Sequence, residues 1–167
     1  MDGGIWQWLI DVPSRWLHRF AALVLLPLLA GVIAVDVAAR YLFSAPLQWG
    51  HDVSTLALLA LFMAAIPITT AQDGHIRMET FYERFGPRTA ALSDFFSHLF
   101  GAAFMGLVAY WQLRETPGMY VRGEGAQMID IPHWPIALFI GLCAAYVVLI
   151  FLLRAAAALR LVVTGRP

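Results

Sequence analysis

Four apolar stretches of about twenty residues each dominate the sequence and restrict the chain to one class of fold. They run from about Phe20 to Ala39, from Val53 to Ala71, from Ala90 to Gln112 and from Trp134 to Leu153. An α-helix rises about 1.5 Å per residue, so about twenty residues cross the roughly 30 Å hydrocarbon core of a bilayer. The pattern predicts an all-α membrane protein, a single membrane domain with four transmembrane helices.

The composition agrees with a membrane protein and excludes several functional classes. Hydrophobic residues make up 60% of the chain and charged residues 13%, whereas soluble domains carry about 25% charged residues. The 11 basic residues, all Arg, balance 11 acidic ones, so no basic surface for nucleic acid is predicted. A single cysteine, Cys143, excludes an intrachain disulfide. The sequence contains no Gly-rich phosphate-binding loop, no H-E-x-x-H motif and no G-x-S-x-G motif.

Two further segments have the mixed composition of short amphipathic helices at a membrane surface. Residues 5–19 combine Trp and aliphatic side chains with Asp and Arg, and we expect an interfacial helix broken at Pro13. The alternative for this segment is the charged front of a signal peptide, with 37–39 as a small-residue cleavage site. Residues 72–87 alternate apolar and charged side chains, which predicts a second short surface helix.

The loops between the stretches predict the orientation of the chain in the membrane. Residues 113–133 hold three Gly and Pro117, and we expect an irregular, exposed segment there. Eight Arg fall on the side of the two termini and three on the opposite side. Since cytoplasmic loops carry an excess of basic residues, both termini are predicted to be cytoplasmic.

Two pairs of ionisable residues lie within or at the ends of the apolar stretches at helical i,i+4 spacing. Asp36 and Arg40 close the first stretch, and Asp94 and His98 lie near the start of the third. Such groups are costly in lipid and are therefore paired, buried against protein or part of an ion pathway. The spacing favours a structural pair at the outer surface for Asp36 and Arg40, and polar contacts between helices or subunits for Asp94 and His98. An ion or proton relay is the alternative for both pairs.

The other chemistry-bearing residues predict no cofactor. A haem between helices needs two facing His on different spans, and only His98 of the five His lies within a predicted span. The six Trp all fall at predicted span ends or in the N-terminal segment, as expected of an aromatic belt. We therefore predict no catalytic, cofactor or metal site.

Three short motifs, in order, resemble a known family. The first stretch ends in R-Y-L-F, which Pro46, Trp49 and Asp52 follow; G-H-I-R-M-E stands at 74–79, and I-P-H-W at 131–134. Together they resemble the small membrane subunit, the DctQ-type component, of a tripartite ATP-independent periplasmic (TRAP) transporter. The resemblance covers about 20–153. One departure is His51-Asp52, where the family often carries two glutamates.

The resemblance implies a role that depends on partners. A large DctM-type membrane subunit would carry a small organic acid with sodium ions, and a periplasmic binding protein would deliver this substrate. The small subunit, in the bacterial inner membrane, would brace the large subunit and help dock the binding protein. A stand-alone four-span exporter and the membrane anchor of a redox complex are the alternatives.

The prediction also names the residues expected to contact a partner or to be structurally important polar groups. The expected docking face comprises Trp49, Asp52 and 114–133. The full set of candidates is Asp36, Arg40, Trp49, Asp52, His75, Arg77, Asp94, His98, Arg122, Glu124 and Pro132.

Overall fold

The computed structural model describes residues 5–45, 47–72, 87–126 and 131–164, and these are almost entirely helical. The helices are α1 (Ile5–Phe20), α2 (Leu26–Phe43), α3 (Gly50–Ala71), α4 (Pro87–Arg122) and α5 (Trp134–Thr164), with a π-helical turn at Ala21–Leu25 between α1 and α2. Four helical stretches are long and apolar enough to cross a membrane: Ile10–Phe43, Gly50–Ala71, Thr89–Arg122 and Trp134–Val163. The predicted fold class, all-α with four potential spans, is confirmed.

The helices form an open row in which α3 and α5 are the central members. α4 packs along α5, α5 packs on α3, and α3 also contacts α1, the π-helical turn and α2. One core cluster joins Ala21 and Leu25 to Ala60 and Ala64, with Phe139 of α5 packed against it. Further along, a guanidinium N–H of Arg154 donates to the carbonyl oxygen of Ala71, the last residue of α3. Phe139, near the start of α5, thus packs beside the middle of α3, and Arg154, further along α5, meets the end of α3, so the two helices run parallel.

The long helices α4 and α5 form an antiparallel pair with a register fixed by three contacts. A Cβ at Gly141 would lie 2.7 Å from a methyl carbon of Leu113, and a Cβ at Gly101 would lie 2.8 Å from the Phe151 ring. The rings of Tyr120 and Trp134 meet edge to face with centroids 5.6 Å apart. The two glycines therefore allow large side chains of the facing helix to approach the backbone, as small residues do in membrane helix pairs.

The predicted break of the N-terminal helix at Pro13 is wrong, because α1 runs through Pro13 and continues through the π-helical turn into α2. A proline inside a helix removes one backbone hydrogen bond, and neighbouring side chains can compensate for the disturbed turn. Here the Ser14 hydroxyl donates to the carbonyl oxygen of Ile10 at 2.6 Å. The Tyr146 hydroxyl donates to the same oxygen at 2.7 Å. The first bond lies within α1 and the second comes from α5, so the turn around the proline is tied to a neighbouring helix.

The predicted irregular loop at 113–133 is wrong for its first half, because α4 continues to Arg122 with Pro117 inside it. The contacts of Leu113 with Gly141 and of Tyr120 with Trp134 hold this segment against α5. Gly123, with φ at +64°, then ends the helix. Residues 124–126 pair with 131–133 through the N–H of Ala126 to the carbonyl of Ile131 and the N–H of His133 to that of Glu124, both at 3.0 Å.

The remaining predicted boundaries compare with the structure as follows. α2 extends to Phe43, four residues beyond the predicted Ala39, and α3 begins at Gly50, three before Val53. α5 starts at the predicted Trp134 and continues past Leu153 to Thr164. The predicted surface helix at 72–87 lies almost wholly outside the described residues.

Candidate functional site

Asp36, in the second half of α2, supports the turn that joins α2 to α3. Its carboxylate accepts a hydrogen bond from the Arg40 guanidinium at 2.8 Å and, with its other oxygen, from the backbone N–H of Leu47 at 2.8 Å. The Asp36 side chain is 19% exposed, whereas that of Arg40 is 59% exposed. The predicted i,i+4 pair is present, and its carboxylate also fixes the loop that leads to Gly50. The arrangement stabilises the connection between α2 and α3, since one carboxylate oxygen binds Arg40 of α2 and the other binds the backbone of Leu47 in the turn.

Trp49 and Asp52 stand on either side of the start of α3. Trp49 is exposed and Asp52 half-buried, and Gly50 between them is buried against Leu47 and Asp36. A Cβ at Gly50 would lie 3.2 Å from the Leu47 Cβ, so the close turn leaves little room there for a side chain. The Trp49 ring is therefore held at the surface by a compact turn.

A second polar group surrounds the end of α4. Arg122 pairs with Glu115 at 3.6 Å and donates through its Nε to Glu124. All three side chains are about half exposed, so solvent screens the pairs and each contributes at most about 1 kcal/mol. Pro132, in the short pairing that closes the turn, lies opposite Gly125.

The two groups lie at the same end of the helix row. Because α3 and α5 run parallel, the turn before α3 and the turn before α5 are at one end, and α4 finishes there. The predicted docking residues Trp49, Asp52, Arg122, Glu124 and Pro132 therefore share one surface end in two groups, together with Asp36 and Arg40.

Asp94 and His98 lie toward the other end of α4. His98 Nδ1 is 2.6 Å from the backbone carbonyl oxygen of Asp94, one turn earlier. The His98 ring meets the Phe151 ring of α5 edge to face, with centroids 6.0 Å apart. The ring thus contacts the neighbouring helix, in keeping with a packing role, while a relay role stays untested. His75 and Arg77 lie outside the described residues.

The polar contacts of α5 with α1 and α3 were not predicted from the sequence. The Tyr146 hydroxyl bonds to Ile10 and lies 3.3 Å from the Ser14 hydroxyl, which is buried. Arg154 caps the last carbonyl of α3. Tyr146 and Arg154 are hydrogen-bonding side chains within a long apolar helix. Their position there was the one feature of the sequence that could have indicated these contacts. They tie the N-terminal helix and the end of α3 to the centre of the row.

Much of the apolar surface faces outward. None of the residues of α2 is buried, and, apart from its own stretch of helix, a Cβ placed on Gly31 would have no atom of the described residues within 4 Å. Large side chains are also exposed along α4, among them Phe100, Phe104 and Leu107. Such surface requires lipid or another membrane protein.

The comparison with protein families agrees with this architecture. The sequence model of the family described as "Tripartite ATP-independent periplasmic transporters, DctQ component" matches residues 29–161. The chain belongs to the DctQ family. No curated protein and no solved structure matches it.

Membership makes this DctQ chain a small membrane component of a TRAP transporter. The match covers α2 to α5 up to Leu161, and therefore both surface turns. DctQ proteins are transporter components that work with a DctM subunit and a substrate-binding protein. The family and the four apolar helices together describe a multi-pass membrane protein.

Proposed function

We propose that this DctQ chain braces the large ion-coupled DctM-type subunit and helps dock the periplasmic binding protein during uptake of a small organic acid. One observation supports the bracing role most directly. The helix α2 has 18 residues and packs at one edge of the row, and none of its residues is buried. A helix with this much free surface is suited to packing against a larger membrane partner.

The small residues of α2 support a protein contact. Ala30, Ala34 and Ala38 recur every four residues and are exposed, with Gly31 beside them. Small residues let membrane helices approach closely, and van der Waals packing is a main source of association in lipid. A face of this type offers a close contact to a helix of the large subunit.

The orientation proposed for the chain puts both termini in the cytoplasm of a bacterial inner membrane. The support is the distribution of Arg, eight on the side of the termini and three on the side of the two turns. The end that carries Trp49 and Arg122 then faces the periplasm, where a binding protein would arrive. α1 would lie at the cytoplasmic surface, consistent with its exposed Trp8 and Trp16.

The docking role is supported by the charges at this end. Arg122, Glu115 and Glu124 form an exposed cluster whose members are held by one another. Exposed charges of this kind act mainly on the association rate of a transient partner and on its salt dependence. We expect these charges to affect docking of the binding protein and not recognition of the transported solute.

A charge-swap experiment tests the docking role. The complete transporter is reconstituted in vesicles, and uptake is measured against the concentration of binding protein. R122E and E124R separately should each raise the concentration for half-maximal uptake two- to fivefold, equivalent to about 0.4–1 kcal/mol, and leave the maximal rate nearly unchanged. In the R122E/E124R double variant, positions 122 and 124 exchange their charges, so an ion pair between them can still form and the net charge is unchanged. A raised half-maximal concentration for this variant therefore reports on docking and not on the stability of the chain.

The control is D11N, a charge change on α1, at a distance from both turns. It should leave the half-maximal concentration unaltered. If R122E and E124R behave like D11N, this surface takes no part in docking.

A further inference from the structure

A cluster of Tyr110, Trp111 and Arg114 on the exposed face of α4 takes no part in the helix packing. The Arg114 guanidinium carbon lies 5.8 Å from the centre of the Tyr110 ring and 5.5 Å from that of Trp111. One guanidinium nitrogen donates to the Tyr110 hydroxyl at 3.0 Å. The rings meet edge to face, 5.9 Å apart. Side chains of a helix tilt toward its N-terminus, which brings Arg114 back over the two rings.

The register of α4 against α5 gives the depth of this cluster. Tyr120 packs on Trp134, the first residue of α5, and Leu113 packs on Gly141. Arg114 comes six residues before Tyr120, so along the axis of α4 it lies about 9 Å further from the end of the helix that carries Tyr120. It also follows directly on the apolar part of α4, which ends at Gln112. By the predicted end of the third apolar stretch, the cluster therefore lies at the limit of the part of α4 that is apolar enough to cross the hydrocarbon core.

The charge of Arg114 is not balanced by the part of the chain that the structure describes. No carboxylate among those residues forms a salt bridge with it, and the adjacent Glu115 pairs with Arg122 instead. A guanidinium has five N–H donors, and the Tyr110 hydroxyl takes one of them. The side chain is exposed, as are Tyr110 at 55% and Trp111 at 51%.

We propose that Arg114, Tyr110 and Trp111 bind the phosphodiester group of a phospholipid. The planar guanidinium matches two phosphate oxygens at once, and the ring contacts hold it in one orientation. The Tyr110 hydroxyl accepts from Arg114, so its own proton can be donated to a phosphate oxygen. The Trp111 ring suits the glycerol and the first acyl carbons, because indole prefers the boundary between water and lipid. The site would hold a lipid at a fixed position beside α4.

Native mass spectrometry of the full chain in mild detergent tests the proposal. Phosphatidylglycerol, or diacylglycerol with the same acyl chains but no phosphate, is added, and retained lipid is counted. R114Q should lower retention of phosphatidylglycerol about fivefold, as expected for one basic group at an anionic surface, and leave diacylglycerol unaffected. R114K should give an intermediate loss, since an ammonium cannot bind two oxygens side by side. Excess inorganic phosphate should not displace the lipid.

The matched control is R122Q, eight residues further along the same helix, where two carboxylates already pair with the cation. R122Q should retain phosphatidylglycerol like the wild type. Equal retention by R114Q and the wild type would overturn the proposal. Displacement by inorganic phosphate would overturn the assignment to lipid. If R114Q retains lipid normally but no longer co-purifies with the large subunit when the two are expressed together, Arg114 is a protein contact and not a lipid site.

Discussion

At the scale of single residues, Asp36 is the side chain on which most of the local structure depends. One oxygen binds a solvent-exposed cation, and the other binds a backbone N–H of the turn. An exposed ion pair contributes about 0–1 kcal/mol, whereas a hydrogen bond to a charged group contributes about 1.5–3 kcal/mol. The turn therefore depends on the Leu47 bond more than on Arg40.

Three substitutions separate these two contributions. D36A removes both bonds and should lower the thermal unfolding midpoint of the purified chain most. D36N keeps an acceptor for the Leu47 N–H and should fall between D36A and the wild type. R40Q should have the smallest effect, because its guanidinium is mostly in solvent. Equal unfolding midpoints for D36A and R40Q would mean that the hydrogen bond from Leu47 does not stabilise the chain.

This residue also shows how far the sequence could predict the site. The i,i+4 spacing predicted the pairing of Asp36 with Arg40, and the structure has it. The bond to Leu47 could not be predicted, since it joins positions eleven apart and depends on the path of the turn. The same holds for Tyr146 and Ile10, which lie 136 residues apart.

At the scale of helices, the apolar length of a segment predicted its existence but not its ends. In lipid every backbone polar group must be satisfied within the helix, so long apolar runs can only be helical. The end of α4 has the composition of a loop, with Pro117 and Gly118 inside it. It is helical because Leu113 and Tyr120 pack on α5, and such contacts between helices cannot be recognised from local composition.

The close contact of α4 with α5 predicts the effect of replacing a glycine by alanine. G141A places a methyl group into Leu113, both at its Cγ and at a methyl carbon. It should destabilise the chain by about 1–3 kcal/mol, the usual cost of overpacking. G31A, in open space on α2, should be neutral or stabilising by up to about 1 kcal/mol, because Ala favours helix over Gly. Denaturation in mild detergent would measure both, and equal stabilities would contradict the α4–α5 register.

The link between α1 and α5 gives a second prediction at this scale. Y146F removes the hydroxyl that binds Ile10 and neighbours Ser14. Hydrogen exchange of the α1 amides should become about fivefold faster, as expected for the loss of about 1 kcal/mol. Exchange within α5 should stay unchanged. Y120F, which changes an exposed ring at the far end of α4, is the control and should not affect α1.

At the scale of the whole molecule, the row of helices has the features of one subunit of a larger membrane assembly. α3 and α5 carry most of the packing, whereas α2 and α4 leave large apolar surfaces outside. The polar turns are gathered at one end. A chain with an open row, free apolar edges and one polar end is suited to packing between a larger membrane subunit and a soluble partner.

The proposed orientation gives a prediction about the two ends. Single cysteines at Ala45 and Val121, both exposed, should react with an impermeant thiol reagent in intact cells whose outer membrane has been opened. A cysteine at Gln72, at the other end of α3, should react only after the cells are lysed. The background is Cys143→Ala, which removes a buried thiol. The reverse labelling pattern would place the termini in the periplasm.

The most direct measurement is the composition of the particle that this chain forms. The tagged chain is expressed with the DctM-type subunit of the same organism, purified in mild detergent and weighed by native mass spectrometry. We expect a complex that contains both subunits, and we expect A34L, which enlarges an exposed small residue of α2, to weaken that complex without unfolding the chain. A stable assembly of this chain alone, with no DctM-type subunit bound, would contradict the account.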